Sequence, residues 1–202
     1  MKVPACESLF LFEKDWRQRG FKKIAGVDEA GRGPLAGPVV AACVVFDRPV
    51  YIEGVYDSKC LSSKDRECLY EKIVSNCLAY GVGICENSFI DEVNILNATK
   101  VAMKKAIDDV LEKVDCVFID GNIKLNLSVP SLSIVKGDRK SFTIACASII
   151  AKVTRDRIMS NLHNEFPHYE WDKNKGYPTR KHREAIEKFG ITPYHRKSFR
   201  LI

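Results

Sequence analysis

The strongest constraint on the fold of this chain is a turn rich in glycine and proline that follows two adjacent acids. The segment 26–38 has the sequence Gly-Val-Asp-Glu-Ala-Gly-Arg-Gly-Pro-Leu-Ala-Gly-Pro. The apolar stretches on its two sides, 24–27 and 38–46, predict buried strands, because each is short, apolar and bounded by turn residues. The chain must therefore reverse direction at this turn, directly after the acids.

The acids and the turn together predict more than a polar strand end. Consecutive strand residues face opposite ways, so Asp28 and Glu29 share a site only if the chain bends after them, as glycine permits. A bare Asp–Glu pair is usually just the polar end of a strand. Here Gly31-Arg32-Gly33 follows, and exposed backbone N–H groups beside an arginine form a seat for phosphate.

Size and composition indicate a soluble protein with one substantial core. The chain has 202 residues, of which 46% are hydrophobic and 29% charged. Residues 1–20 mix acids and bases with apolar side chains, which is typical of neither a signal peptide nor a membrane span. The eight cysteines contain no C-x-x-C pair, and all four histidines follow the last cysteine. We therefore expect no zinc cluster, and a reducing cytoplasm as the compartment.

Positive charge is concentrated near the end of the chain. Residues 1–150 carry 20 basic and 20 acidic side chains, whereas residues 151–202 carry 12 basic and 6 acidic ones. A local positive field of this kind suits an anionic polymer. A solvated helical surface would show the same excess, so charge alone does not decide between the two.

The order of apolar patterns predicts an α/β protein with a mixed sheet, antiparallel at its start and parallel afterwards. Further strands are predicted at 79–85, 116–119 and 132–135, and helices from a cap at Ser62, over 94–114, over 142–162 and between Thr179 and Gly190. We expect residues 1–165 to form the core. Residues 166–202 would form a basic helical extension packed on it, within a single domain overall.

Acids stand at the ends of three predicted strands. Asp28 and Glu29 follow the first, Asp120 precedes a glycine, and Asp138 follows one. In open α/β sheets, functional residues gather at the carboxyl ends of strands. Two like charges ~4 Å apart repel by about 4 kcal/mol at an effective dielectric of ~20, so four converging acids would bind protons or cations. Oxygen ligands favour Mg²⁺ or Mn²⁺, and a pair of such ions can hydrolyse a phosphodiester.

These motifs recur as an ordered set that closely resembles the ribonuclease HII (type 2 ribonuclease H) family. The matching segments are 26–40, 57–59, 91–95, 119–121, 136–138, 147–156, 176–179 and 195–199. The resemblance implies a ribonuclease H-like fold, with a mixed central sheet flanked by helices and a C-terminal helical extension. It implies two divalent ions, Mg²⁺ or Mn²⁺, held by Asp28, Glu29, Asp120 and the more adaptable Asp138.

The resemblance also implies a substrate and a reaction. The family hydrolyses the RNA strand of RNA–DNA hybrids and nicks duplex DNA 5′ to embedded ribonucleotides, which leaves 5′-phosphate and 3′-hydroxyl ends. In this chain Gly31-Arg32-Gly33 would contact the 2′-hydroxyl and the adjacent phosphate, and Tyr177 would stack on the next sugar. Lys59, Lys152 and Arg155 are further candidates for phosphate contacts. His182 and His195 are expected to be surface or capping residues.

Three alternatives compete with this interpretation. Ribonuclease HIII resembles the same motifs, but it carries a sizeable N-terminal domain and commonly a glutamate at the position of Asp138, whereas about 20 residues precede the core here. A non-catalytic nucleic-acid-binding protein would leave the acids unexplained. A metal-dependent DNA junction nuclease would leave the glycine motif and Tyr177 without a task. The expected partners are RNA–DNA hybrid and ribonucleotide-containing duplex DNA, with no membrane, and the expected state is a monomer.

Overall fold

The computed structural model describes residues 8–55 and 61–202. Its centre is one five-stranded sheet in the order β3-β2-β1-β4-β5. The strands are β1 Ile24–Ala30, β2 Val39–Phe46, β3 Ala79–Cys85, β4 Cys116–Asp120 and β5 Ser131–Ile134. The β1–β2 and β2–β3 pairs are antiparallel, and the β1–β4 and β4–β5 pairs are parallel. The mixed sheet predicted from the sequence is confirmed.

Seven α-helices surround the sheet within the described residues. They are α1 Leu11–Gln18, α2 Ser63–Asn76, α3 Asn87–Val93, α4 Ile95–Asp108, α5 Phe142–Glu165, α6 Trp171–Asn174 and α7 Arg180–Phe189. Two predicted caps are present, because Ser62 Oγ accepts from the Asp65 N–H and Thr179 Oγ1 accepts from the His182 N–H. Each cap satisfies one of the backbone donors that a helix leaves free at its start.

Strand β2 explains the architecture, because every one of its residues is buried. Val39, Ala41, Cys43 and Val45 pack in one hydrophobic cluster with α4, while Ala42, Val44 and Phe46 pack in another with α2 and α5. Helix α1 packs on the same face of the sheet as α5, against β4, where Trp16 contacts Phe118 edge-on. Helices on both faces of a sheet require strands that are apolar on both faces, as the continuous run 38–46 indicates.

The C-terminal segment packs beside the turn that follows β1. Its buried core joins Leu35 and Ala36 of that turn with Met159 and Leu162 of α5 and with Trp171 and Ile186. Backbone hydrogen bonds reinforce this contact, because Leu35 donates to the Gly176 carbonyl and Gly37 to that of Tyr194. The division of the chain at residue 165 stays a prediction.

Some predicted boundaries are wrong. The helix expected over 94–114 ends at Asp108, and a 3₁₀ turn, Leu111–Lys113, continues the segment. Val110 and Val114 are nevertheless buried, so the apolar spacing reflected burial through a turn rather than one continuous helix. No helix was predicted for the segments that form α1, α3 and α6. Helices α3 and α4 are separated at Asn94, whose φ of 68° no α-helix allows.

Across residues 8–55 and 61–202, none of the helices combines the length and the apolar character that spanning a membrane requires.

Candidate active site

Three acids meet at the carboxyl ends of β1 and β4. Asp28, Glu29 and Asp120 each place a carboxylate oxygen within 4.8 Å of the others. The parallel pairing of the two strands ends at Val27 and Ile119, one residue before the acids. The strands therefore deliver all three side chains to one point where backbone pairing has stopped.

The convergence does not need a bend at the acids themselves. Strand β1 stays in register with β2 as far as Ala30, opposite Val40. The Asp28 side chain instead turns along the strand, and its Oδ1 accepts from the Glu29 N–H at 2.7 Å. The glycine-driven bend comes later, at Gly31, whose φ of 97° suits glycine and few other residues.

Asp138 joins this group through its backbone. Asp120 Oδ1 accepts from the N–H groups of Gly137 at 2.6 Å and of Asp138 at 3.4 Å. A Cβ at Gly137 would lie 3.1 Å from Asp120 Oδ1 and 2.6 Å from Ile144 Cδ1, so a side chain there would displace Ile144 and crowd Asp120. Asp138 is buried in the 3₁₀ turn Gly137–Arg139, but its carboxylate is not a member of the three-acid group. The predicted convergence of four carboxylates is therefore seen for three.

The negative charge of the three-acid group is only partly compensated by nearby positive charge. Burial, together with the nearby Glu29 and Asp120, raises the pKa of Asp28 well above its usual range. Burial also raises the pKa of Glu29, which Arg32 partly opposes from 3.3 Å. Glu29 Oε2 is buried without a hydrogen-bond partner among the described residues. An all-oxygen donor set with a free buried oxygen fits a hard divalent cation.

A cleft of about 420 Å³ opens beside these acids. Its lining includes Glu29, the glycine loop (residues 31–33), Ser148, Lys152 and Tyr177. Tyr177 is 41% exposed, and its Cε1 lies 3.7 Å from the point where a Cβ at Gly33 would stand. The fold thus brings the predicted substrate-binding residues 31–33, 152 and 177 to one cleft with an acid of the group.

Two buried arginines shape the turn behind the glycine loop. Arg196 donates from Nη2 to the Gly31 carbonyl at 2.6 Å, from Nη1 to that of Arg32 at 3.1 Å and from Nε to that of Gly37 at 3.0 Å. Arg155 presses so closely on Gly31 that a Cβ there would lie 2.1 Å from its Nε. Burial lowers the pKa of Arg155 to about 10 and that of Arg196 to about 9, which leaves both charged at neutral pH.

The structure corrects one predicted phosphate contact. Arg155 is 1% exposed and donates to the carbonyls of Pro38, Ala36 and Lys175 at 2.9–3.0 Å. Its guanidinium is therefore occupied by the protein's own backbone and does not face the cleft. Lys152 does line the cleft, paired with Asp156 at 2.6 Å. Lys59 lies outside the described residues.

The expectation for the two histidines is also wrong. His182 and His195 are fully buried, and their Nε2 atoms lie 3.1 Å apart. Sequence reasoning also missed Arg196, although it stands in the motif 195–199, and Arg66, which lines the cleft from α2. No local pattern separates a buried arginine that binds carbonyls from an exposed one that binds phosphate, so the sequence carried no signal for either.

Comparison with known proteins places the chain among the type 2 ribonucleases H. The family model "Ribonuclease HII" matches residues 25–202. A ribonuclease HII from Caldicellulosiruptor saccharolyticus is 48% identical over 199 residues, which covers 98% of this chain and 97% of that protein. The crystal structure of the ribonuclease H2 from Pyrococcus horikoshii OT3 superposes with a TM-score of 0.76 at 29% identity, over 89% of this chain and 94% of that one. Bst-RNase HIII, solved in complex with Mn²⁺, shares the fold with a TM-score of 0.72 at 19% identity, over 89% and 67% of the two chains.

Proposed function

Since this chain belongs to the ribonuclease HII family of endoribonucleases that act on RNA–DNA hybrids, we propose that it also nicks duplex DNA 5′ to an embedded ribonucleotide. The products would be 5′-phosphate and 3′-hydroxyl ends. The observation that carries this proposal is the cleft, which combines Glu29 of the three-acid group with the glycine loop and Tyr177. Hydrolytic groups and groups suited to recognising a sugar–phosphate backbone thus share one site.

The acids are proposed to hold two divalent ions, Mg²⁺ or Mn²⁺. Asp28, Glu29 and Asp120 would supply the main ligands, and Asp138 the fourth, adaptable one. The buried Glu29 Oε2, which has no hydrogen-bond partner in residues 8–55 and 61–202, supports this assignment, since such an oxygen needs a proton or a cation. When bound, the ions supply an activated water and charge stabilisation for phosphodiester hydrolysis.

The glycine loop is proposed to distinguish ribose from deoxyribose. Arg196 occupies the carbonyls of Gly31 and Arg32, so these dipoles point into the protein. The backbone N–H groups of the loop are then available to the 2′-hydroxyl and the adjacent phosphate, and no side chain at Gly33 blocks the approach. Tyr177 would stack on the following sugar, and Lys152 would contact the phosphate backbone.

Three further properties belong to the same proposal. The excess of basic side chains in residues 151–202 supports the binding of hybrid and of ribonucleotide-containing duplex. The free thiols at positions 43, 68, 77, 85, 116 and 146 support a reducing compartment such as the cytoplasm. We expect the protein to act as a monomer.

A cleavage assay on a DNA duplex that contains one ribonucleotide tests the proposal. With Mg²⁺ or Mn²⁺ we expect a single nick on the 5′ side of the ribonucleotide, and with chelator we expect none. The same duplex made entirely of DNA is the control and should stay intact. Absence of the nick with either metal would overturn the proposed activity on embedded ribonucleotides.

A further inference from the structure

Two buried histidines connect the backbone of Tyr177 to the segment that carries Arg196. His182 Nδ1 lies 2.9 Å from the Tyr177 carbonyl oxygen, and His182 Nε2 lies 3.1 Å from His195 Nε2. Trp171 Nε1 also donates to His182 Nε2, at 3.0 Å. Every ring nitrogen of the pair thus has a partner inside the protein, and neither ring is exposed.

These partners allow only one placement of the ring protons. A carbonyl oxygen only accepts, so His182 Nδ1 carries a proton and donates to Tyr177. His182 Nε2 is then bare and accepts from Trp171 and His195. His195 Nδ1 accepts from the Thr192 N–H at 2.9 Å, so the His195 proton is on Nε2, from which it donates to His182. Both rings are neutral in this arrangement. The Tyr177 carbonyl and the Trp171 N–H fix the tautomer of His182, and the Thr192 N–H fixes that of His195.

The same network reaches the glycine loop. His195 forms an isolated antiparallel bridge with Ala36, and the next residue, Arg196, donates to the carbonyls of Gly31 and Arg32. Tyr177, in contrast, is 41% exposed, so packing of its ring does little to fix it. The backbone of Tyr177 is instead fixed at its carbonyl, which accepts from His182 and from the Thr179 N–H at 2.8 Å.

We infer that His182 is a positioning residue, which holds the Tyr177 ring beside Gly33 by donating from Nδ1 to the Tyr177 carbonyl, while the N–H donors of Trp171 and His195 at its Nε2 keep the ring proton on Nδ1. The inference rests on the role proposed for Tyr177 in the cleft. Two apolar side chains would fill the same buried volume without needing four hydrogen-bond partners. The polar pair contributes a fixed donor at the backbone of a substrate-facing residue.

Two substitutions at position 182 separate this role from simple support of the fold. His182→Asn keeps an N–H near the Nδ1 position and loses the acceptor for Trp171 and His195. His182→Gln keeps an acceptor near the Nε2 position and loses the donor to Tyr177. We therefore expect His182→Asn to melt at the lower temperature but to retain kcat on the single-ribonucleotide duplex. His182→Gln should melt higher yet lose kcat by about 10- to 100-fold, the scale of a misplaced contact.

If His182 only supported the fold, kcat would fall with the melting temperature, and His182→Asn would be the less active of the two variants. The Tyr177→Ala background supplies a second test, because with no ring to position the two His182 variants should have the same kcat within about twofold. A kcat loss in His182→Gln that persists in full in that background would overturn the inference. So would an unchanged kcat in His182→Gln.

Spectroscopy keeps the test independent of cleavage. In protein labelled with 3-fluorotyrosine, the Tyr177 fluorine resonance can be assigned by its loss in Tyr177→Phe. We expect that resonance to shift or broaden in His182→Gln and to stay unchanged in His182→Asn. If the two variants show this pattern but the wild-type protein makes no nick, the proposed function is overturned and the positioning role is supported. A wild-type protein that nicks, with an unmoved resonance in His182→Gln, would overturn the positioning role alone.

Discussion

Arg196 Nη2 lies 2.6 Å from the carbonyl oxygen of Gly31, a residue 165 positions earlier in the chain. The guanidinium is fully buried, and within the described part of the chain all its hydrogen bonds go to backbone carbonyls of residues 31–38. A cation that satisfies several carbonyls at once fixes the direction of the peptide units between them. The shape of the glycine loop is therefore determined by a residue far from it in sequence.

The first prediction concerns this clamp. Arg196→Lys keeps the charge but loses the planar fork, which leaves buried carbonyls of the loop unpaired. We expect the free energy of unfolding to fall by roughly 2–4 kcal/mol. We also expect a larger loss of kcat/KM on the single-ribonucleotide duplex than of affinity for it. Denaturant unfolding and steady-state kinetics measure the two effects, and the exposed Arg180→Lys is the matched control.

The second prediction concerns the three-acid group. Asp28→Asn removes one of three acids that crowd within 4.8 Å, so in chelator the variant should melt at a higher temperature than the wild type. With Mg²⁺, its kcat should fall by on the order of 100-fold or more, since electrostatic stabilisation of the transition state is lost. Hybrid binding should persist. The control is Asp108→Asn, an exposed acid on α4 paired with Lys104. Loss of folding in Asp28→Asn would mean that the acid is structural.

The third prediction concerns phosphate contacts. Lys152 lines the cleft and pairs with Asp156 in the next helical turn. We expect Lys152→Gln to weaken hybrid binding and to lower the salt slope, d log K/d log[salt], by about 1 in magnitude. Lys104→Gln is closely matched, because Lys104 also pairs with an aspartate four residues on, but it stands on α4, on the other face of the sheet. Equal salt slopes for the two variants would exclude a phosphate contact at Lys152.

The fourth prediction concerns acid stability. Burial, and then the neighbouring His182, lower the pKa of His195 from 6.5 to about 4. Burial lowers that of His182 too. Between these values the unfolded chain binds more protons than the folded one, so the free energy of unfolding should fall as the pH drops from about 6.5 towards 4.

Substitution separates this effect from acid effects elsewhere. His195→Gln should show a shallower decline of stability over this range, as measured by denaturant unfolding at a series of pH values. His168→Gln, at an exposed position, should follow the wild-type curve. An unchanged slope in His195→Gln would show that the neutral pair does not contribute to acid sensitivity.

Most strands were predictable because burial leaves a pattern in the sequence. Apolar residues alternate where one face of a strand is buried and follow one another where both faces are buried. The alternation at 79–85 located β3 at its observed bounds, and the continuous apolar run 38–46 predicted the strand that the structure shows as β2, Val39–Phe46. Helix ends were less predictable. The buried Val110 and Val114 extended an apolar spacing beyond the point where α4 ends.

The residues of the site were predictable where they stand close together in the sequence. Asp28, Glu29 and the glycine loop are neighbours in sequence, so their proximity in space follows from the turn. Arg155 and the histidine pair were misassigned because their roles depend on contacts with distant carbonyls and rings. A basic or titratable side chain has the same sequence signature whether it is solvated or enclosed, and only tertiary packing distinguishes the two.

The long span between Gly31 and Arg196 also imposes an order of events during synthesis. A ribosome extends the chain from its N-terminus, so the acids of β1 and the glycine loop are made long before the arginine that shapes that loop. A nascent chain that ends before residue 196 has these acids but lacks the clamp on the carbonyls of Gly31 and Arg32. The final shape of the glycine loop is thereby postponed until nearly all of the chain has been translated.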